Sequence, residues 1–242
     1  MAAFTKNRCR GEGELAALDG PCLVAFEERL LDSFMESLIP FVGSSIADIG
    51  AGTGFHSLRY ANSADRVFAV EPAPAMLIEL LTRVARSGLT NISVIAADAA
   101  DIPLRDASVD IVHSRFAYLF GPEHSGVACC ESGIFEAMRI LRRGGWCFIV
   151  ENDLTNGEFA RVFDESGYNW RQARTVQAQY DAFYATYGFD HVTIESQWEE
   201  QQLSILTQIV GMRFPPDLLA TILAEIERSI PACSYRIYCR QK

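Results

Sequence analysis

The spacing of the hydrophobic positions changes along the chain and divides it into predicted elements. Before Pro40 the apolar residues recur every three or four positions, which predicts a helix that ends there. Farther on, short apolar runs alternate with longer amphipathic stretches. The runs predict five strands, at residues 45–49, 66–70, 91–96, 109–113 and 146–150. Apolar strands separated by helices at this interval indicate a parallel sheet that is covered on both faces.

Two helices are well marked between these strands. A helix face that begins at Met76 is closed by Gly88, which favours a helix end. A second helix includes Leu141 and is predicted to stop at Gly144, next to another glycine.

The pattern is different after residue 151. A helical stripe of aromatic residues covers residues 173–187, and two further helices are predicted at 203–212 and 218–226. Residues 192–197 and 235–240 alternate in polarity as strands do, and the last one is expected to run antiparallel. The predicted fold is therefore α/β and Rossmann-like. It has a doubly wound, mostly parallel sheet of seven strands with the last strand antiparallel, a helical N-terminal cap and a C-terminal helical insertion.

The composition narrows the classes of partner. The 242 residues carry a formal net charge of −10, and no segment is basic, which argues against nucleic acid or an anionic membrane as a partner. No apolar run is long enough to span a bilayer or to act as a secretory leader. The seven cysteines are odd in number and lack C-x-x-C spacing, so we expect neither a disulfide framework nor a zinc site, and no other metal site is predicted. Reduced thiols favour a cytoplasmic location.

A glycine-rich motif follows the first predicted strand. The residues from Asp48 to Gly54 read Asp-Ile-Gly-Ala-Gly-Thr-Gly, and such glycines permit positive φ and let a ligand approach bare backbone. Dinucleotide-binding proteins share this kind of turn, but their third glycine comes three residues after the second, where Phe55 stands here. An acidic residue two positions before the first glycine would repel a pyrophosphate and suits a cationic ligand such as a sulfonium amino acid.

Two further acidic residues lie at predicted strand ends. Glu71 follows the second strand, where a carboxylate can accept hydrogen bonds from both ribose hydroxyls of a nucleoside. Asp98 follows the third strand, where a side chain can meet an adenine amino group. With the glycine turn, these positions are spaced for a nucleoside with a positively charged tail.

These motifs together resemble the class I S-adenosylmethionine-dependent methyltransferases, specifically the bacterial small-molecule branch. The resemblance covers about residues 44–152 and includes the turn before the fifth strand, where Arg143 stands in place of a common proline. It implies S-adenosyl-L-methionine as cofactor and S-adenosyl-L-homocysteine as product. The residues expected to contact the cofactor are Asp48, Gly50, Ala51, Gly52, Gly54, Glu71, Pro72, Met76, Asp98, Ala99 and His113.

The same resemblance suggests how the chain is divided. Residues 1–43 would form the helical cap, and residues 44–242 would form the methyltransferase domain. Within that domain, a cofactor half of about 44–152 would precede a substrate-side half of about 153–242. The role of the aromatic-rich segment 159–198 stays open between core packing and the lining of an acceptor pocket.

Fewer residues of the sequence indicate how a methyl acceptor would bind. His113 ends the fourth predicted strand and is the candidate catalytic residue, either as a base or by positioning the acceptor. Arg115 would suit an anionic substrate but fits a structural ion pair equally well. Tyr118 and Asp153 are further substrate-side candidates, although Asp153 also fits a helix N-cap or a solvated loop.

The expected activity is methyl transfer to an O, N or C atom of a small molecule. Methyltransferases that act on nucleic-acid amino groups share a proline-proline-aromatic tetrapeptide after the fourth strand, whereas this chain has His-Ser-Arg-Phe from His113. Two alternatives remain: a nicotinamide-dependent oxidoreductase on a related fold, and a protein that binds the cofactor without catalysis. A homodimer is among the compatible oligomeric states.

Overall fold

The computed structural model describes residues 27–117, 131–157, 171–197 and 232–242. Within these ranges the helices are α1 (Glu27–Leu38), α2 (Phe55–Tyr60), α3 (Pro74–Ser87), α4 (Glu131–Ile140) and α5 (Arg171–Thr186). The strands are β1 (Ser45–Ile49), β2 (Arg66–Val70), β3 (Ile92–Ile95), β4 (Val109–Arg115), β5 (Leu141–Asn152), β6 (Asp190–Gln197) and β7 (Ala232–Gln241). The helices predicted at 203–212 and 218–226, and the part of the cap before residue 27, lie outside the described residues.

The strands form one seven-stranded sheet in the order β3-β2-β1-β4-β5-β7-β6. The pairs β2–β3, β1–β2, β1–β4 and β4–β5 are parallel. Strand β7 runs antiparallel to β5, because Gly144 near the start of β5 donates its N–H to Lys242 after β7, whereas Asp153 after β5 donates to Ser234 near the start of β7. The predicted mostly parallel α/β sheet with an antiparallel last strand is confirmed.

The fifth strand differs from its predicted extent. It begins at Leu141, directly where α4 ends, so Leu141 belongs to the strand and not to the preceding helix. The backbone N–H of Gly144 donates to Lys242 O, and Gly145 O accepts from Lys242 N–H, which extends the strand pairing through the glycines. The pairing with β4 contains an irregularity between Val109 and Ile111. The glycines therefore allow a bulge within a strand instead of separating a helix from a strand.

The chain divides into two compact units. The larger takes in the described residues of 34–151, 180–192 and 237–242, and the smaller those of 27–33, 152–179 and 193–236. The larger unit contains the main core, made of aliphatic residues from β1, β4, β5 and α4 with Tyr184, Phe189 and Tyr238. The ring centroids of Tyr184 and Tyr238 are 4.0 Å apart. The part of the aromatic stripe at 180–187 therefore packs into this core.

The described residues contain neither a membrane-spanning helix nor a cluster of metal ligands. In the ranges that the structure describes, no helix is long and apolar enough to cross a membrane. The same ranges contain no group of three or more His, Cys, Asp or Glu side chains that could hold a metal ion.

Candidate cofactor and acceptor site

The glycine loop between β1 and α2 is held by its backbone. Gly50 and Ala51 both donate their N–H groups to Val70 O, at 2.9 and 3.0 Å, and Gly54 donates to Ala51 O at 2.9 Å. The three loop glycines have φ of +74°, +55° and +89°, a region that side chains with a Cβ rarely adopt. The loop is therefore fixed to the end of β2 in a conformation that depends on glycine.

The three glycines differ in what surrounds them. A Cβ on Gly50 would lie 2.7 Å from the Cβ of Ala117, and a Cβ on Gly54 would lie 2.3 Å from Cδ1 of Leu80. Both glycines therefore allow the loop to pack closely on the protein itself. A Cβ on Gly52 would meet nothing within 4 Å, so the backbone there borders open space. A ligand can approach the loop at Gly52.

Glu71 joins the glycine loop to the loop after β2. Its Oε2 accepts the N–H of Gly52 at 2.8 Å, and its Oε1 accepts the N–H of Ala73 at 2.8 Å. The residue is only 7% exposed. Each carboxylate oxygen has a second lone pair, so the two backbone bonds leave room for two hydroxyl donors. Glu71 lies beside Gly52, where we expected a ribose ligand.

The other predicted cofactor residues border the same strand ends. Asp98 is exposed after β3 and accepts the N–H of Ala100 at Oδ1, 2.8 Å away, while Ala99 is buried. Pro72 is exposed in the loop before α3, and Met76 is half-buried in the first turn of that helix. Parallel strands place their carboxyl ends at one edge of a sheet, so these loops share the edge that carries Glu71.

Asp48 lies below the loop in a buried polar cluster. The β1–β4 register pairs Asp48 with His113, and Nδ1 of His113 is 3.0 Å from Oδ1 of Asp48. Ser57 of α2 donates its hydroxyl to Oδ2 of Asp48 at 2.5 Å. Asp48 and His113 are each 2% exposed. Both carboxylate oxygens are thus bonded inside the protein, and any effect of Asp48 on a cofactor acts through its charge or its partners.

The cluster includes two more rings. The centroids of His56 and Tyr60 each lie 5.1 Å from the centroid of His113. Burial by itself would raise the pKa of Asp48, but the hydrogen bonds donated by His113 and Ser57 outweigh it and hold the pKa below 3.8. Asp48 is therefore an anion at neutral pH.

His56 is held neutral in this cluster. Burial contributes most to lowering its pKa, and the charges of Arg115 and Arg59 lower it further, so that it lies well below 6.5. The attraction of Asp48 opposes this shift without cancelling it. His56 therefore does not add a charge near Asp48 at neutral pH.

The end of β4 leads from this cluster toward β5. Arg115 pairs in register with Val150, and its guanidinium lies 5.0 Å from the ring centroid of Phe116. Phe116 has φ +53°, a strained conformation for a residue with a side chain, and donates its N–H to Val150 O at 3.2 Å. The next residue, Ala117, is the one that fits against Gly50. Tyr118 lies outside the described residues.

Glu151, like Asp153, follows the fifth predicted strand, at an edge of the expected pocket. It follows Val150 in β5, and burial raises its pKa to about 8 although Arg115 opposes the shift. Its carboxyl is therefore largely protonated at neutral pH, which is common among functional carboxyls and can also be purely structural. Its place at the carboxyl end of a central strand was visible in the sequence, but its protonation depends on the surrounding fold.

Asp153 has a structural environment in the smaller unit. Its carboxylate accepts hydrogen bonds from the backbone and side chains of Thr155 and Asn156 and from Thr193, and lies 3.5 Å from Arg236. The side chain is fully buried. These bonds are those of a cap on the turn after β5, so the structure favours the capping alternative over a substrate contact.

The comparisons with known proteins agree with this geometry. Residues 46–145 match a family described as a methyltransferase domain. An uncharacterized methyltransferase of Mycobacterium tuberculosis is 32% identical over 115 residues, which is 48% of this chain and 42% of that protein. The ubiquinone/menaquinone biosynthesis C-methyltransferase of Roseobacter denitrificans is 25% identical over 142 residues, 57% of this chain and 54% of that protein. The chain thus spans only about half the length of these relatives.

The fold has close counterparts among solved structures. A SAM-dependent methyltransferase from Aquifex aeolicus superposes with a TM-score of 0.57 and 13% identity, covering 94% of this chain and 97% of that one. Residues 46–145 are therefore similar in sequence to the methyltransferase domain family, and the fold is that of the class I S-adenosylmethionine-dependent methyltransferases. The cofactor of this class is S-adenosylmethionine, and the glycine loop with Gly52 open and Glu71 beside it fits its nucleoside. The matches favour this class over the nicotinamide-dependent oxidoreductases.

Proposed function

We propose that the protein transfers a methyl group from S-adenosylmethionine to an O, N or C atom of a small molecule. The observation that carries this proposal is the pairing of Gly52 with Glu71 at the edge of the sheet. An open glycine backbone beside a buried strand-end carboxylate can bind a nucleoside and its amino-acid tail. The sequence match of residues 46–145 supports the same class.

We assign the cofactor contacts to residues of the larger unit. Glu71 would accept the ribose hydroxyls with its free lone pairs, and Gly52 would border the amino-acid tail. Asp98 would meet the adenine amino group, while Pro72 and Met76 would lie against the nucleoside. The bound cofactor supplies an already activated methyl group, so the protein mainly has to align the acceptor for in-line displacement.

We place the acceptor beside the ends of β4 and β5. His113 would serve as a proton acceptor or a positioning group, and Arg115 would favour an acceptor with an anionic substituent. The strained turn at Phe116 supports this choice, because strain of that kind often accompanies binding sites. Tyr118 stays a candidate on its sequence position alone, and we no longer propose Asp153.

We also propose that nucleic acid and membranes are not partners of the protein. The net charge of −10 supports this, since phosphate-rich surfaces attract basic proteins. The free thiols of Cys147 and Cys239 are compatible with the cytoplasmic location that we propose. A homodimer is the oligomeric state that we would test first.

The proposal is tested in two steps with the full chain. Calorimetric titration should show binding of S-adenosylmethionine and S-adenosylhomocysteine and none of NAD or NADP. Incubation with methyl-labelled cofactor and a small-molecule fraction of a bacterial extract should then transfer label into that fraction. Binding of NADH without binding of the sulfonium compound would refute the proposal. Cofactor binding without any transfer would favour the alternative of a non-catalytic binding protein.

A further inference from the structure

The contact between Asp48 and His113 has a defined geometry, because both oxygens of the carboxylate and the strand register fix it. Asp48 uses one oxygen for Nδ1 of His113 and the other for the hydroxyl of Ser57. The two strands fix this pairing, because Asp48 and His113 are register partners in β1 and β4. Both oxygens of the carboxylate are therefore held by the protein, and the group is almost completely shielded from bulk water.

This contact determines where the imidazole carries its proton. An ionised carboxylate accepts hydrogen bonds and donates none, so Nδ1 of His113 must be the protonated nitrogen. In the neutral ring the lone pair is then on Nε2. The hydrogen bond to Asp48 is made at Nδ1, so it leaves the lone pair of Nε2 unused. A histidine fixed in this way by a buried carboxylate is suited to take up a proton at Nε2.

Among the charged and titratable groups near Asp48, His113 is the one suited to take up a proton. Tyr60 and His56 face its ring from α2, and His56 is held neutral by burial and by the nearby cations. Arg115, on the same strand as His113, lies close enough to lower the pKa of His56. Among these groups, only His113 is bonded to the carboxylate that would stabilise an added proton.

We propose that Asp48 is a positioning residue that acts through His113 and that the methyl acceptor is one that must lose a proton, a hydroxyl or an acidic carbon. This inference rests on the proposed methyl transfer. It separates such acceptors from pyridine-type nitrogens and thioethers, which have no proton to lose. It also gives Asp48 a task other than direct contact with the cofactor.

The proposed step balances without a further reactant. The acceptor hydroxyl gives its proton to Nε2 of His113, and an electron pair of its oxygen forms the bond to the methyl carbon. The pair of the broken carbon–sulfur bond stays on sulfur, so S-adenosylhomocysteine is released as a thioether. The imidazolium remains paired with Asp48 until its proton passes to solvent.

The position of the proton is measured directly by nuclear magnetic resonance on protein with isotope-labelled histidine. The chain has only four histidines, so a His113→Gln variant identifies the signals of His113. We expect Nδ1 to be the protonated nitrogen of the neutral ring in the S-adenosylhomocysteine complex. A neutral His113 protonated at Nε2 would overturn the proposal, and this measurement requires no change at Asp48.

The Asp48→Asn variant tests the consequence for the reaction. Its amide should keep its oxygen on Ser57 and turn its N–H toward Nδ1, which moves the proton of the neutral ring to Nε2. Turnover of catechol, used as a hydroxyl acceptor, should fall by about 10²-fold or more. The affinity for S-adenosylhomocysteine should change by less than about threefold. Asp65→Asn is the matched control, since Asp65 is exposed before β2, at the opposite end of that strand from Glu71.

Two results would contradict this assignment. Methylation of pyridine with catechol inert would overturn the proposed acceptor class, and an unchanged histidine tautomer in Asp48→Asn would overturn the positioning role. Failure of the proposed function has a different signature, because the protein would then either not bind S-adenosylhomocysteine or methylate neither catechol nor pyridine. A loss of cofactor affinity equal to the loss of turnover would also overturn the proposal and make Asp48 a cofactor residue.

Discussion

Replacing Glu71 with alanine should weaken cofactor binding and also destabilise the protein without cofactor. The carboxylate accepts the N–H groups of Gly52 and Ala73, both at 2.8 Å, and both donors lie in loops that border the proposed site. Glu71 therefore also supports the fold, because it is buried and bonded to two loops.

The size of both effects follows from the bonds involved. A hydrogen bond to a charged group contributes about 1.5–3 kcal/mol, so two lost ribose bonds should reduce affinity at least tenfold, or about 1.4 kcal/mol. The two loop N–H groups are half-buried and regain part of their bonding from water, which leaves a loss of about 1–2 kcal/mol in the free energy of unfolding. For a chain of this size that loss lowers Tm by several degrees, roughly 2–4 °C per kcal/mol.

A ligand-side comparison separates the ribose bonds from the effect on the loop. Calorimetry would measure S-adenosylhomocysteine and its 2′-deoxy analogue against wild type and Glu71→Ala. The wild type should lose affinity for the analogue, whereas the variant should bind both ligands alike, since the partner of the hydroxyl is already gone. Asp65→Ala serves as the control, because this carboxylate lies at the other end of β2 and is exposed.

Either of two outcomes would refute the reasoning. An unchanged dissociation constant in Glu71→Ala would show that the carboxylate does not contact the cofactor. Equal losses for the deoxy analogue in wild type and variant would show that Glu71 acts only by holding the glycine loop. In that second case the apo protein should still have a lowered Tm in a thermal unfolding scan.

Three further predictions concern the loop and the buried titratable groups. Gly54→Ala should destabilise the protein by several kcal/mol in denaturant unfolding, because its Cβ would overlap Leu80. Gly52→Ala lies in open space, so it should cost about 1–2 kcal/mol of stability and mainly reduce cofactor affinity. A larger loss of stability in Gly52→Ala than in Gly54→Ala would contradict the geometry. Glu151 has a pKa of about 8 in the fold, so the free energy of unfolding should fall as pH rises from about 4.5 to 8. Glu151→Gln should remove up to about 4 kcal/mol of this loss at pH 9. Identical pH profiles of unfolding for the variant and wild type would contradict this prediction. His56 has a lowered pKa, so its contribution to the free energy of unfolding is present above pH 6.5 and is lost as pH falls. The His56→Phe variant should therefore unfold at a lower pH than wild type. Unchanged acid unfolding would contradict this prediction.

The parts of the fold that rest on local periodicity were predictable. The strands β1 and β2 have their predicted bounds, because each is a short, mostly apolar segment that is followed by a recognisable turn sequence. The start of β5 was not predictable, since the glycines after Leu141 look like a break until the pairing of Gly144 with Lys242 is known. These two residues are far apart in the sequence, and no local pattern records their contact.

The same distinction applies to the site. Gly52 and Glu71 could be placed at one sheet edge from strand order alone, and their hydrogen bond agrees with that. The contact of Asp48 with His113 depends on the register of two strands that are 65 residues apart in sequence, and Ser57 joins it from a helix. Sequence reasoning placed both residues near the cofactor but did not relate them to each other, because side-chain partners across a sheet have no periodic signal.

The buried charge of Asp48 fits the proposed reaction at both of its stages. An ionised carboxylate that is 2% exposed is costly unless a positive charge or several donors stay near it. Before transfer the methyl donor brings a positive charge to the loop above Asp48, and after transfer that charge is gone. If His113 takes up the proton of the acceptor, a new positive charge forms 3.0 Å from Asp48 at the same stage. The carboxylate then has a cation near it throughout, so the reaction moves a positive charge within the site without creating or removing one, which lowers the electrostatic cost of catalysis in a buried environment.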